Sequence, residues 1–151
     1  MQTVEQALAL IPGRRDVLNK IDDRLAHVIR YVERVLTELK PGVPSDVSYE
    51  TSEGAYVLEF RKHNAQWTIM HGSEADDEGR HDTPLVSASR QARAEAFTVP
   101  PDGHQAPIER LIVAVADSLD EISKERSPQL EVAMRLAAAL ERAGFPDVGG
   151  Q

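Results

Sequence analysis

The sequence predicts an α+β domain: a long N-terminal helix packed on a three-stranded antiparallel meander, followed by a short helix and a C-terminal helical hairpin. Three observations carry this. Residues 14–40 repeat apolar side chains at a helical period, residues 47–71 alternate them at a strand period around two tight turns, and residues 107–145 return to the helical period. The 151 residues are expected to form a single domain, which at that length buries roughly 68–70% of the surface its unfolded chain exposes.

In the long helix, Leu18, Leu25, Val32 and Leu39 recur at heptad spacing, with Ile21, Val28 and Val35 between them. This is an a/d seam, and Ile29 and Leu36 widen it into the broader stripe that a helix needs to cover a sheet. A helix-mediated dimer is the other use of such a seam. Upstream, Thr3 and Gln6 fit a capping box for a separate short helix near residues 3–10, with Pro12 and Gly13 read as the break between the two. Pro41 and Gly42 stop the long helix.

The turns set the register of the meander. A two-residue turn at Asn64-Ala65 pairs Lys62 with Trp67, Phe60 with Ile69 and Leu58 with His71. A turn at Ser52-Glu53 or at Glu53-Gly54 joins the first two strands without changing side-chain parity. Val47, Tyr49, Tyr56, Leu58, Phe60, Trp67 and Ile69 then share one face, and Ser48, Glu50, Glu59, Arg61 and Thr68 share the other, expected to be wet. Residues 72–84 read as an acidic loop.

Residues 87–97 read as a short helix with Ala88, Ala92 and Ala96 on its inner face. The next helix starts at Pro107, a favoured first position, and carries Ile108, Leu111, Ile112, Val115, Leu119 and Ile122 on one stripe. The last helix is expected to start at Ser127 and Pro128. Gly144 ends it in a Schellman arrangement that brings Phe145 toward Leu140.

Composition excludes several classes of function. There are no cysteines, so disulfides, thiolate nucleophiles and Cys-type zinc sites are absent. A net charge of −8 disfavours a broad nucleic-acid surface, which needs clustered Lys and Arg to neutralise phosphates. No apolar run approaches a membrane span and the N-terminus lacks the polarity of a secretory signal, so the expected location is the cytoplasm. No GxSxG elbow, SxxK motif, Walker loop or GxGxxG is present, and no cofactor is implied.

Three groups of residues remain as candidate sites. In the acidic loop, a calcium reading counted from Glu74 matches Asp76, Glu78 and Gly79 but fails at the twelfth position, which is Leu85 rather than glutamate. A transition-metal site would use His71 and His81 with a carboxylate such as Asp76, though no HExxH pair fixes two imidazoles on one face. A solvated loop is the competing reading.

Ser87, Ser89, Arg90 and Arg93 form the second group, an anion site at a helix start or else a serine cap with arginines paired to surface carboxylates such as Glu95. The third is the acidic helix face of Asp117, Asp120 and Glu121, an interface for a basic partner. Together these features favour a non-enzymatic adaptor acting as a homodimer or on another protein. The alternatives are a metal- or phosphate-ligand-binding protein or hydrolase using residues 71–93, and an immunity or inhibitor protein for a basic partner.

Overall fold

The computed structural model describes residues 3–74, 82–101 and 103–147. Its elements run α1 (Val4–Leu39), β1 (Ser45–Thr51), β2 (Gly54–His63), β3 (Gln66–Ser73), β4 (Thr83–Pro84), a 3-10 turn (Leu85–Ser87), α2 (Arg90–Glu95) and α3 (Pro107–Arg142). The α+β class is as predicted. The first and last helices are longer than expected, the short helix between them is shorter, and the sheet has one more strand.

α1 begins with the expected capping box: Thr3 Oγ1 accepts from the Gln6 N–H at 3.1 Å, and Gln6 Oε1 accepts from the Thr3 N–H at 3.0 Å. It does not break at Pro12-Gly13, so the predicted short helix and the helix over 14–40 are one element of 36 residues. Pro12 removes a single i→i−4 donor, and the capping box anchors the turns before it. Lys40 ends the helix in the left-handed region (φ 51°) and donates to the Thr37 carbonyl at 3.2 Å.

The sheet order is β1-β2-β3-β4, all antiparallel. The predicted pairs Lys62↔Trp67, Phe60↔Ile69 and Leu58↔His71 are all present, and Thr51↔Gly54 places the first turn at Ser52-Glu53. Asn64 and Ala65 both have positive φ (51° and 66°), as a type I′ turn requires. The predicted face is the core face. Val47, Tyr49, Leu58, Phe60 and Ile69 pack with Ile29 and Leu36 of α1, Ala96, and Ile108, Leu111 and Val115 of α3, with Tyr56 and Trp67 partly buried against them.

The other face is not uniformly wet. Val57 and Met70, the apolar residues of outward parity, are both buried. On the same face Arg61 pairs with Glu59 and, at 3.3 Å, with Asp82. The three-stranded meander also gains β4, which pairs Thr83 with His71 and Pro84 with Met70. A proline lacks the N–H of a ladder residue, so two residues ending in Pro84 give no strand signal in the sequence.

The short helix expected over 87–97 is narrower. Ser87 belongs to the 3-10 turn, and Ser89 caps α2 by accepting from the Ala92 N–H at 3.1 Å. Its alanine face packs inward as predicted: Ala92 and Ala96 are buried and Ala88 is partly buried against the core.

In place of the helical hairpin, residues 107–142 form one continuous helix. Ser127 lies inside it, its hydroxyl donating to the Ser123 carbonyl at 2.9 Å rather than capping a new start. As at Pro12, Pro128 removes one donor without ending the element. The predicted C-terminal ending is present: Phe145 N–H bonds the Leu140 carbonyl and Gly144 N–H the Glu141 carbonyl, both at 3.0 Å, with Gly144 at φ 97°.

The chain divides into two units. Residues 1–115 hold α1, the sheet, α2 and the first turns of α3; residues 116–151 hold the remainder of α3 and its C-terminal ending. Among the described residues, no helix is long and apolar enough to cross a membrane.

Candidate functional site

Strand parity places Tyr49, Tyr56 and His71 on the core face at one end of the sheet, and the last turn of α2 brings Glu95 to them. The Tyr49 and Tyr56 rings lie 6.2 Å apart and tilted; Tyr56 stacks on His71 at 5.1 Å. Burial pushes the Tyr49 hydroxyl well above its usual pKa, and the nearby Glu95 carboxylate and Tyr56 add to the shift. Burial lowers the His71 pKa below its usual value, while the carboxylates of Glu95 and Asp82 act in the opposite direction. The Tyr49 hydroxyl and His71 Nε2 are both buried without a hydrogen-bond partner. Glu95 itself accepts from Gln91 Nε2 at 2.9 Å.

Beside this cluster is a cavity of about 650 Å³. One wall is β1 from Ser48 to Thr51, continued by Ser52; the others include Glu95, Pro100, Pro101, Pro107 and Arg110. Arg110, also in its lining, donates from Nη1 to the Ser48 carbonyl at 2.9 Å. Such a volume suits a small ligand or a short stretch of chain, and its ionic groups, Glu50 and Glu95 against Arg110, favour a cation. Sequence reasoning placed Tyr49, Tyr56 and His71 on one face but gave Glu95 only a surface role and did not single out Arg110. The signal available for Glu95 was its position directly before Ala96 on the alanine face.

The other candidates are placed as follows. His71 is on the apolar face opposite Leu58, as predicted; Asp76 and His81 lie outside the described residues. Among the described residues, no group of three or more His, Cys, Asp or Glu is arranged to hold a metal ion. Three of the four anion-site residues are turned to separate tasks. Ser89 caps α2, Arg90 Nε lies 3.4 Å from the buried Asp22, and Arg93 Nη1 donates to the carbonyls of Ala88 at 2.8 Å and Val86 at 3.3 Å. Ser87 is exposed in the 3-10 turn. Asp117, Asp120 and Glu121 are exposed on α3, with Asp120 paired to Lys124 at 2.8 Å.

α1 carries a second feature. Its buried positions are Asp22, Ala26, Ile29 and Leu36, so the heptad seam expected through Leu18, Ile21 and Leu39 is not what the core uses; those three are exposed. Five turns at ~3.6 residues each separate Asp22, Ala26, Ile29 and Leu36 from Val4, Leu8, Ile11 and Leu18, so the two sets lie on one face of the helix. The downstream set is buried, whereas Val4, Leu8, Ile11 and Leu18 are 76%, 61%, 54% and 51% exposed. Among the described residues, the core face of α1 thus continues toward its N-terminus as an exposed apolar row. In residues 116–151, α3 likewise exposes Leu130, Met134, Leu136 and Leu140.

No family model matches this chain, nor does any curated protein or solved structure.

Proposed function

We propose that this chain is a non-enzymatic interaction protein that works as a homodimer, two copies meeting through the apolar face of α1 between Val4 and Ile21. One observation carries this reading: the core face of α1 continues for about four turns from Leu18 back to Val4, with Val4, Leu8, Ile11 and Leu18 exposed along it. Helix energetics support it. Pro12 and Gly13 cost about 3 and 1 kcal/mol relative to alanine in a helix interior, and an unpacked helix of this length is marginal in water. A cover on the apolar face supplies what the local sequence withholds.

A second copy is the favoured cover because of charge. Residues 4–21 carry Arg14, Arg15 and Lys20 against Glu5 and Asp16, so this segment is nearly neutral in a chain of net charge −8. Two copies repel through most of their surface and least here. A self-complementary face with two-fold symmetry is also the commonest way for a chain to close an assembly.

Sedimentation velocity tests the proposal. Wild type is expected to sediment as a dimer in the micromolar range. Ile11→Glu and Leu18→Glu should sediment as monomers with the sheet intact by circular dichroism, because a carboxylate buried at the seam costs more than the ~1.4 kcal/mol that is tenfold in Kd. A wild type that is monomeric throughout that range contradicts it.

A further inference from the structure

The two edges of the sheet are treated differently. On the β3 side, β4 pairs Met70 and His71, and Glu33 of α1 accepts the next amide, that of Ile69, at 2.9 Å. On the β1 side no strand follows among the described residues. Thr51 and Gly54 close a two-residue hairpin as a hydrogen-bonded pair, so bonded pairs recur at Tyr49 and Val47, and the N–H and C=O groups of Asp46, Ser48 and Glu50 point away from β2. The bond from Arg110 to the Ser48 carbonyl fits that direction. Among the described residues, no other backbone group bonds this edge.

The 650 Å³ cavity runs along this open edge. Its lining also includes Pro100, Pro101 and Pro107, which have no N–H and so donate nothing to the strand. Tyr49 lines it at 9% exposure with its hydroxyl unpartnered. Of the charged residues around it, Glu50 stands on the outer face of the sheet and Glu95 beside the core-face tyrosine, while the one guanidinium, Arg110, is already engaged by Ser48.

We propose that the β1 edge takes an extended, basic polypeptide segment as an added strand lying in this cavity. Main-chain bonds to Ser48 and Glu50 hold it. Alternate side chains of an added strand point to opposite faces, so a lysine or arginine on either face meets a carboxylate, Glu50 on one and Glu95 on the other. The prolines in the lining have no N–H to extend a ladder, which fits the groove for one strand rather than for the edge of a second folded sheet. This proposal uses residues remote in sequence from the Val4–Ile21 face and stands independently of dimer formation.

The test uses the full chain and three fluorescein-labelled, capped hexapeptides: alternating valine and lysine, the same with glutamate for lysine, and the lysine peptide with alternate backbone amides N-methylated. Anisotropy should show saturable binding of the lysine peptide, about tenfold weaker binding after N-methylation and after joint Glu50→Gln and Glu95→Gln substitution, and none for the glutamate peptide. In the lysine complex, amide hydrogen exchange of Ser48 and Glu50 should slow. Equal binding of the N-methylated peptide overturns the proposal. So does binding that leaves the Ser48 and Glu50 amides unchanged, or failure of the lysine peptide to bind at millimolar concentration.

Discussion

Glu33, near the end of α1, accepts the backbone N–H of Ile69 at 2.9 Å, one residue past the pair that β4 protects. A helix side chain thus completes a sheet edge that a two-residue strand is too short to cover. Unpaired edge amides are sites of unwanted association, and a charge-assisted bond to one also ties α1 to the sheet. Glu33→Ala is expected to cost about 1.5–3 kcal/mol in urea unfolding, with Glu33→Gln costing less because an acceptor oxygen remains. An alanine variant as stable as wild type would show that the bond contributes nothing.

The turn between β2 and β3 places Ala65 at φ 66°. Asparagine tolerates the left-handed region at Asn64, but an alanine Cβ crowds the following carbonyl there at a cost of roughly 1–2 kcal/mol. Ala65→Gly removes that cost and gives back part of it in unfolded-state entropy, leaving a net gain of about 0.5 kcal/mol. Thermal unfolding should show a higher Tm; a lower one would contradict the turn type.

Burial lowers the pKa of His71 in the folded protein below the unfolded value of 6.5. The unfolded chain therefore binds more protons as pH falls through that value, so stability held at neutral pH is lost on acidification below about 6.5. An NMR titration should place the His71 imidazole below its unfolded value. His71→Phe keeps a ring against Tyr56 and removes the unpartnered buried Nε2, so its stability should fall less between pH 7 and 5 than that of wild type. Parallel pH profiles for the two would refute this assignment.

Asp22 sits on the buried face of α1, with Arg90 Nε of α2 3.4 Å from its Oδ2. The carboxylate is the costly partner because it is the buried one; the arginine is largely exposed and screened. Arg90→Ala should destabilise by roughly 1–2 kcal/mol, and Asp22→Asn in that background should recover part of the loss. If the single and double variants unfold alike, the pair is not coupled.

Much of this was legible in the sequence where the rule is local. Strand parity and the turn at Asn64-Ala65 gave the full β2–β3 register, and with it the shared face of Tyr49, Tyr56 and His71. Gly144 and Phe145 gave the ending of α3. Two other local rules misled: Pro12 and Pro128 each read as a boundary, yet each removes only one hydrogen bond from a helix that continues on both sides of it. Which face of α1 is buried was not legible either. The heptad seam and the stripe through Ile29 and Leu36 overlap in sequence, and only packing against Ile69 and its neighbours selects the second. Glu95 was hidden for the same reason, since its environment comes from strands more than twenty residues away.

In the proposed dimer a second copy covers the Val4–Ile21 face of α1. Amide hydrogen exchange of residues 4–21 and 22–39, measured together with molar mass at two concentrations spanning the micromolar range, reads that cover. The core holds the buried positions of residues 22–39 in either state, so their protection should not depend on concentration. Protection of residues 4–21 should rise as the mass moves from one chain toward two. Monomeric mass with fast exchange over residues 4–21 at both concentrations would contradict the account.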